Sequence, residues 1–253
     1  IYAHADLILV YKAFLDSAQE IANHLRYHTS QQLTTMNKFG KTQNTLDLMA
    51  EQIISKNLVK SRVVYGFCSE ENPQLNKLNE TGEYIVSYDP IDGSAVIDSN
   101  FAIATIFAVW RSKDIIGMSG KDLVGAGVTI YGPRTTTLLY NSQSGKVEEL
   151  TLLRMGSNRE RWIVTNPDLK INKEAKILAP ALKTTYDHPV LFEIFEELCI
   201  KGFSIRYSGA FAVDCFQLFI KGHGIYVKLD SVTHPSRLHL LYEIFPIAFL
   251  VEK

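Results

Sequence analysis

Cysteine is scarce in this chain, and the scarcity already narrows its chemistry. The 253 residues contain three cysteines, Cys68, Cys199 and Cys215, and no two of them form a CxxC pair. That excludes a disulfide framework and a thiolate zinc cluster, and it predicts small buried thiols in a reducing compartment. Charge of one sign is missing as well. Lys and Arg number 26 against 27 Asp and Glu, for a formal net charge of -1. No basic field is available for nucleic acid and no acidic tail suggests disorder, so a phosphorylated ligand must be held by local groups. The longest apolar stretches, such as Ala102 to Trp110, are too short to cross a bilayer. The first residues lack the charged-then-apolar pattern of a signal peptide. Internal repeats and low-complexity tracts are absent. The chain opens mid-pattern at Ile1 and stops at Lys253 inside an apolar segment, so both ends are expected to continue in a longer protein. A cytoplasmic location is expected, with a plastid or peroxisome signal left open in the parts beyond.

Hydrophobic residues make up 46% and charged residues 21%, enough to bury a substantial core. Leu7, Val10, Phe14, Ala18, Ile21 and Leu25 recur at helical spacing and predict a helix from Asp6 to His28. A second helix is predicted from Thr42 to Val59, with Asn44 or Thr45 as N-cap. Short β-branched and aromatic runs then predict strands at Arg62–Cys68 and Glu83–Asp89. Phe101–Trp110 is apolar nearly throughout and reads as a strand buried on both faces. Thr135–Tyr140 and Lys146–Leu152 read as a hairpin. The pattern weakens from Asn158 to Ala179, which places a boundary between a half at 1–165 and a half at 166–253. The mix Asn158-Arg159-Glu160-Arg161 reads as an exposed loop. Beyond it, helices are predicted at His188–Lys201, Ala210–Lys221 and Leu238–Glu252, with strands at Phe203–Tyr207 and Ile225–Leu229. Such alternation predicts an α/β chain of stacked helix and sheet layers.

The chemistry concentrates in Ser69-Glu70-Glu71 and in Asp89-Pro90-Ile91-Asp92-Gly93-Ser94. Each acidic group follows a predicted strand, and carboxylates at strand ends converge above a sheet. Hard oxygen ligands of this kind suit magnesium. Asp-x-x-Asp can offer two carboxylates and the Ile91 carbonyl to the same ions. Gly93 lets the backbone approach a phosphate, whose oxygens the N–H groups of Gly93 and Ser94 can receive. Taken alone, Asp-Pro-x-Asp-Gly is a common turn and Glu-Glu a solvated strand end; their ordered combination is what points to a site.

Through those motifs the sequence resembles the fructose-1,6-/sedoheptulose-1,7-bisphosphatase family. The resemblance extends over nearly the whole chain. It includes Ser94 to Phe101, Thr105-Ile106-Phe107, Ile130 to Thr136, Arg206-Tyr207-Ser208-Gly209 and Leu240-Leu241-Tyr242-Glu243. The Val-Ile-Asp-Ser-Asn-Phe and Tyr-Gly-Pro-Arg-Thr-Thr runs are more similar to the sedoheptulose branch. The resemblance implies a layered αβαβα fold and magnesium-dependent hydrolysis of a sugar 1-phosphate, with two or more Mg2+ per site and Mn2+ as an alternative. It assigns Glu70, Asp89, Asp92 and Glu243, with the carbonyl of Ile91, to the metal. It assigns Asp47 and Glu71 to the attacking water. Arg206 corresponds to an arginine that holds the distal phosphate in a neighbouring subunit's site, Tyr207 to a pocket residue and Arg237 to a sugar-pocket lysine. A small-molecule sugar bisphosphate is the implied partner, with no nucleic acid and no membrane, in a homodimer or homotetramer with shared active sites.

Without the family, Asp47 reads as a solvated helix charge, Arg206 as a surface ion pair, Tyr207 as a core tyrosine and His239 as a packed histidine. Glu243 differs, because an acidic residue in an otherwise apolar helix is costly unless it is paired or liganded. The chain also departs from the family. Lys41 stands where an acidic residue is usual and His239 where an arginine is. Ala95 replaces a second serine, and Leu178 to Lys183 lacks the asparagine expected for the distal phosphate: either Ala181 replaces it or one residue is absent there. Glu83 replaces the lysine of a nucleotide-inhibition site, so inhibition by adenosine monophosphate is not expected. Tyr27 to Gly40 has no cysteine, so a thiol switch there is not expected either. Sedoheptulose-1,7-bisphosphate hydrolysis is the leading expectation, fructose-1,6-bisphosphate hydrolysis the next, and a non-catalytic sugar-phosphate binder the rival outside enzymes.

Overall fold

The computed structural model describes residues 2–27, 32–36, 42–156 and 159–253, with backbone alone for 2–5, 32–36 and 42–44. Lys41, one of the departures above, lies outside the described residues. In chain order the elements are α1 (Tyr2–Tyr27), β1 (Gln32–Met36), β2 (Thr42–Asn44), α2 (Thr45–Ser61), β3 (Val64–Ser69), β4 (Asn76–Lys77), β5 (Tyr84–Asp92), β6 (Ile103–Trp110), β7 (Leu123–Tyr131), β8 (Thr135–Asn141), β9 (Lys146–Met155) and β10 (Arg159–Asn166). They are followed by β11 (Ile177–Pro180), α3 (Pro189–Ile200), β12 (Ser204–Ile205), α4 (Phe211–Lys221), β13 (Ile225–Val227) and α5 (Phe245–Glu252). No helix among the described residues is long and apolar enough to cross a membrane.

Eight strands form one mixed sheet in the order β10-β9-β8-β7-β6-β5-β3-β4. β3 runs parallel to β5, and the other neighbours are antiparallel. The central strands β5 and β6 are buried along their whole length, as helices on both faces require. On one face α1 and α2 bury Val10, Phe14, Ile21, Ile54 and Leu58 against Tyr88 and Phe107. Phe14 stacks on Phe107 with ring centroids 3.8 Å apart. On the other face α4 and α5 bury Phe211, Phe219, Ile247 and Phe249 against Ile106, Ala108, Ala126 and Val128. α4 also packs on β11 and β13 of a parallel three-stranded sheet, order β12-β11-β13, so helix and sheet layers alternate through the molecule.

Several expectations change. Thr42–Asn44, read as helix, pairs with β1 instead. β7 escaped detection because two glycines dilute its pattern; a side chain at Gly127 would meet the Phe107 ring at 2.5 Å, so close ring packing demands the glycine. Arg159–Arg161 is no loop but the start of edge strand β10: Arg159 and Arg161 are exposed, while Glu160 and Trp162 turn toward α1, Glu160 pairing with Arg26 at 3.2 Å and Trp162 donating to the Leu15 carbonyl at 3.1 Å. The helix expected over Leu238–Glu252 begins only at Phe245, with Pro246 in its first turn, where a missing N–H costs nothing. Before it, Leu240–Ile244 forms one turn of π-helix. Cys68 and Cys215 are buried as expected, but Cys199 is exposed, because α3 buries only Phe195.

Candidate active site

Asp89 and Asp92 are three residues apart, a spacing that in a regular strand points them to opposite faces. A bulge prevents this. Asp89 lies opposite Ile106 and Asp92 opposite Ala104, so β5 carries one residue more than β6 across that interval. The Asp-Pro-Ile-Asp segment therefore lies inside the central strand and is not the terminal turn that its composition suggests. Pro90 is tolerated because it sits at the bulge. The bulge is fixed from two sides: the Ile91 N–H donates to Asp89 Oδ1 at 3.0 Å, and the Thr105 hydroxyl donates to the Pro90 carbonyl at 2.7 Å.

Gly93 follows at φ 92°, in the left-handed region. A Cβ there would lie 2.7 Å from that of Ala210, at the start of α4, so the loop and the helix approach as only glycine permits. The helix returns the contact, since the Ala212 N–H donates to Asp92 Oδ2 at 2.7 Å.

Glu243 arrives from far along the chain. The Ser87 hydroxyl, on β5, donates to the Leu241 carbonyl at 2.8 Å and pins the π-turn to the sheet. Tyr242 meets the buried Cys68 thiol, which burial pushes up to about 12, so this cysteine is an inert packing group. The His239 N–H donates to the Glu243 carboxylate, and His239 Nε2 lies 3.7 Å from Glu70 Oε1. His239 thus stands beside two candidate ligands, closer to the chemistry than a packed histidine.

Asp89, Asp92 and Glu243 converge. All three are buried, and each offers an oxygen within 4.8 Å of the other two. Like charges at such spacing inside a protein oppose one another, and a divalent cation among them reverses that balance. The donors are all hard oxygen, which fits magnesium or manganese better than a thiophilic metal. Glu70, 5% exposed, follows the end of β3, and its N–H donates to the Tyr88 carbonyl at 3.2 Å. Glu71 is next to it and half-buried. Asp47, in the first turn of α2, is 5% exposed; the solvated reading of that residue is incorrect because α2 lies flat on the sheet.

The remaining candidates spread outward. Ser94 is half-buried in the turn after Gly93, and Ala95 beside it is exposed. Tyr207 is 44% exposed rather than a core residue, and it feels both Asp214 and Asp92. Arg206 and Arg237 are exposed. Ala181 is buried just after β11 and donates its N–H to the Val227 carbonyl at 2.8 Å. Glu83 forms a surface pair with Arg111 at 2.7 Å.

Two acidic residues escaped the sequence reading. Glu51 lies one helical turn beyond Asp47, and its carboxyl lies beside the Ser69 and Tyr88 side chains, each of which precedes a candidate ligand. Burial is the main reason its pKa rises to about 7, and Glu71 pushes the same way. The signal was available, because residues i and i+4 share a helix face. Asp214 is fully buried in α4. An acid inside an apolar helix was the argument applied to Glu243, and it applies equally to Asp214.

The chain is similar to known proteins. Residues 5–166 match the family model for "Fructose-1-6-bisphosphatase, N-terminal domain" and residues 171–253 that for "Fructose-1-6-bisphosphatase, C-terminal domain". The chain is 34% identical over 221 residues to chloroplastic sedoheptulose-1,7-bisphosphatase of Triticum aestivum, covering 86% of this chain and 55% of that protein. It is 33% identical over 235 residues to a class 1 fructose-1,6-bisphosphatase of Campylobacter jejuni, covering 92% and 80%. The crystal structure of a protein described as a putative sedoheptulose-1,7 bisphosphatase from Toxoplasma gondii superimposes with a TM-score of 0.86 at 30% identity, covering 98% of this chain and 80% of that one.

Proposed function

The chain belongs to the fructose-1,6-bisphosphatase family, and from that premise we propose that it is a magnesium-dependent phosphatase that removes the 1-phosphate of sedoheptulose 1,7-bisphosphate. The observation that carries the reading is the convergence of buried Asp89, Asp92 and Glu243. Clustered charges of this cost are kept for a ligand that repays them. Motif runs at Val96–Phe101 and Tyr131–Thr136 favour the seven-carbon sugar. Fructose 1,6-bisphosphate is the second reading, supported by a nearly equal identity to the Campylobacter protein.

Glu70, Asp89, Asp92, Glu243 and the Ile91 carbonyl would hold the metal. When bound, Mg2+ or Mn2+ neutralises phosphate charge and makes a bound water more acidic. Asp47 and Glu71 orient the attacking water and accept its proton. The N–H groups of Gly93 and Ser94 receive phosphate oxygens, Gly93 because nothing projects from its Cα. Tyr207 and Arg237 line the sugar. Arg206, exposed on the surface, binds the distal phosphate in a neighbouring subunit, since a guanidinium can engage two oxygens at once. That role makes the protein a homodimer or homotetramer with shared sites.

The test is phosphate release from both bisphosphates, with and without magnesium, using the full-length protein and Asp89→Asn as the comparison. Magnesium-dependent release that favours the seven-carbon substrate supports the reading. Preference for the six-carbon substrate moves the assignment to the second reading. Release no faster than that of Asp89→Asn leaves the non-catalytic binder in its place.

A further inference from the structure

Asp214 is the most deeply buried carboxylate with no part in the scheme above, at 0% exposure. Both of its oxygens are committed to one loop. The Ser208 N–H donates to Oδ1 at 2.7 Å and the Gly209 N–H to Oδ2 at 3.2 Å. These donors directly follow Arg206 and Tyr207. One helical turn later on α4, Gln217 Nε2 donates to the Arg206 carbonyl at 3.4 Å. On its other side the segment is tied to β11, through the Arg206 N–H to the Leu178 carbonyl at 2.9 Å. The loop is thus held at both edges, and the grip on α4 comes from a buried charge, the stronger kind of hydrogen-bond acceptor.

The same first turn of α4 reaches the candidate metal ligands, because the Ala212 N–H donates to Asp92 Oδ2 at 2.7 Å. Asp92 and Asp214 therefore hold neighbouring parts of one rigid element. Asp92 fixes where the helix begins relative to the carboxylates. Asp214 fixes where the Arg206–Gly209 segment lies relative to the helix. Gly209 adopts φ 93°, a conformation that lets two successive N–H groups face the same carboxylate.

We propose that Asp214 is a positioning residue that holds the Arg206–Gly209 segment in place, presenting Tyr207 to the substrate in its own site and Arg206 to the distal phosphate in the neighbouring subunit's site. It acts through the Arg206–Gly209 segment and touches neither substrate nor metal. This rests on the bisphosphatase reading above. Without the clamp the loop samples many positions and the distal phosphate binds more weakly, while the carboxylates around the scissile phosphate keep their geometry.

The experiment compares full-length wild type with Asp214→Asn, which keeps the shape and exchanges an acceptor for an amide. KM for the bisphosphate is expected to rise roughly tenfold, with kcat within about twofold. Hydrolysis of a ketose carrying the 1-phosphate alone is expected to be unchanged. Direct calorimetric binding of fructose 6-phosphate, which carries the distal phosphate alone, is expected to weaken by the same factor. Gly209→Ala serves as a second variant that disturbs the loop and leaves the buried charge in place, and the same split is expected from it. Equal losses on both substrates, or unchanged fructose 6-phosphate binding, would overturn the proposal. A wild type that hydrolyses no bisphosphate yet shows weaker fructose 6-phosphate binding in both variants retains the positioning role and removes only the bisphosphatase reading.

Discussion

The Ser87 hydroxyl donates to the Leu241 carbonyl at 2.8 Å, joining the middle of β5 to the turn that carries Glu243. The two residues are 154 positions apart in the chain. Ser87→Ala leaves that carbonyl without its donor, at a cost of about 1–2 kcal/mol. Thermal unfolding is expected to fall by about 2–4 °C for each kcal/mol in a chain of this size. The variant is also expected to need more magnesium for half-maximal turnover. An unchanged magnesium requirement would show that Glu243 is placed by other contacts.

Gly93→Ala meets two obstacles, the left-handed φ of 92° and the 2.7 Å approach to Ala210. The backbone alone costs about 1–2 kcal/mol. Lower thermal stability and lower turnover are expected together. Adding Ala210→Gly removes the clash but not the strain, so the double variant should recover part of both losses. No recovery would mean that strain dominates.

Asp89→Asn separates stability from activity. It relieves repulsion among three buried carboxylates while its Oδ1 still accepts the Ile91 N–H. Turnover is expected to fall by roughly two orders of magnitude or more. With a chelator present, the variant is expected to melt at a higher temperature than wild type. A lower melting temperature there would show that the cluster is already compensated within the protein.

Glu51 gives a pH dependence with a definite sign. Its carboxyl titrates at about 7 in the fold, against an ordinary 4.5. The folded state therefore binds the proton more tightly than the unfolded chain does, and stability is lost as pH rises from about 4.5 through 7. At about 1.4 kcal/mol per unit, the full penalty above pH 7 is on the order of 3 kcal/mol. Glu51→Gln is expected to match wild type near pH 4 and to exceed it at pH 8, measured by thermal unfolding in chelator. Equal curves at both pH values would remove the buried-acid account.

Much of this was legible in the sequence because it is local. The period of α1, the apolar run of β6 and the two acidic motifs each lie within a dozen or so residues. The motifs also carried the family resemblance, and through it the assignment of Asp47, which its own helix pattern argued against. What stayed hidden depends on partners elsewhere. β7 and β10 were masked by glycines and charges whose purpose appears only against Phe107 and β9. The bulge at Pro90 exists only opposite β6.

The sequence by itself determined that oxygen ligands occur, in which order, and beside which apolar strands, because side-chain chemistry and short-range periodicity need no knowledge of the rest of the chain. The tertiary structure alone decided which of them meet. Asp89 and Asp92 share a face because a bulge shifts the register by one residue. Glu243 joins them because Ser87 holds its turn. Asp214 grips the Arg206–Gly209 segment because α4 is trapped between two sheets. Register and long-range contact follow from burying the core as a whole, and no local window of sequence contains that information.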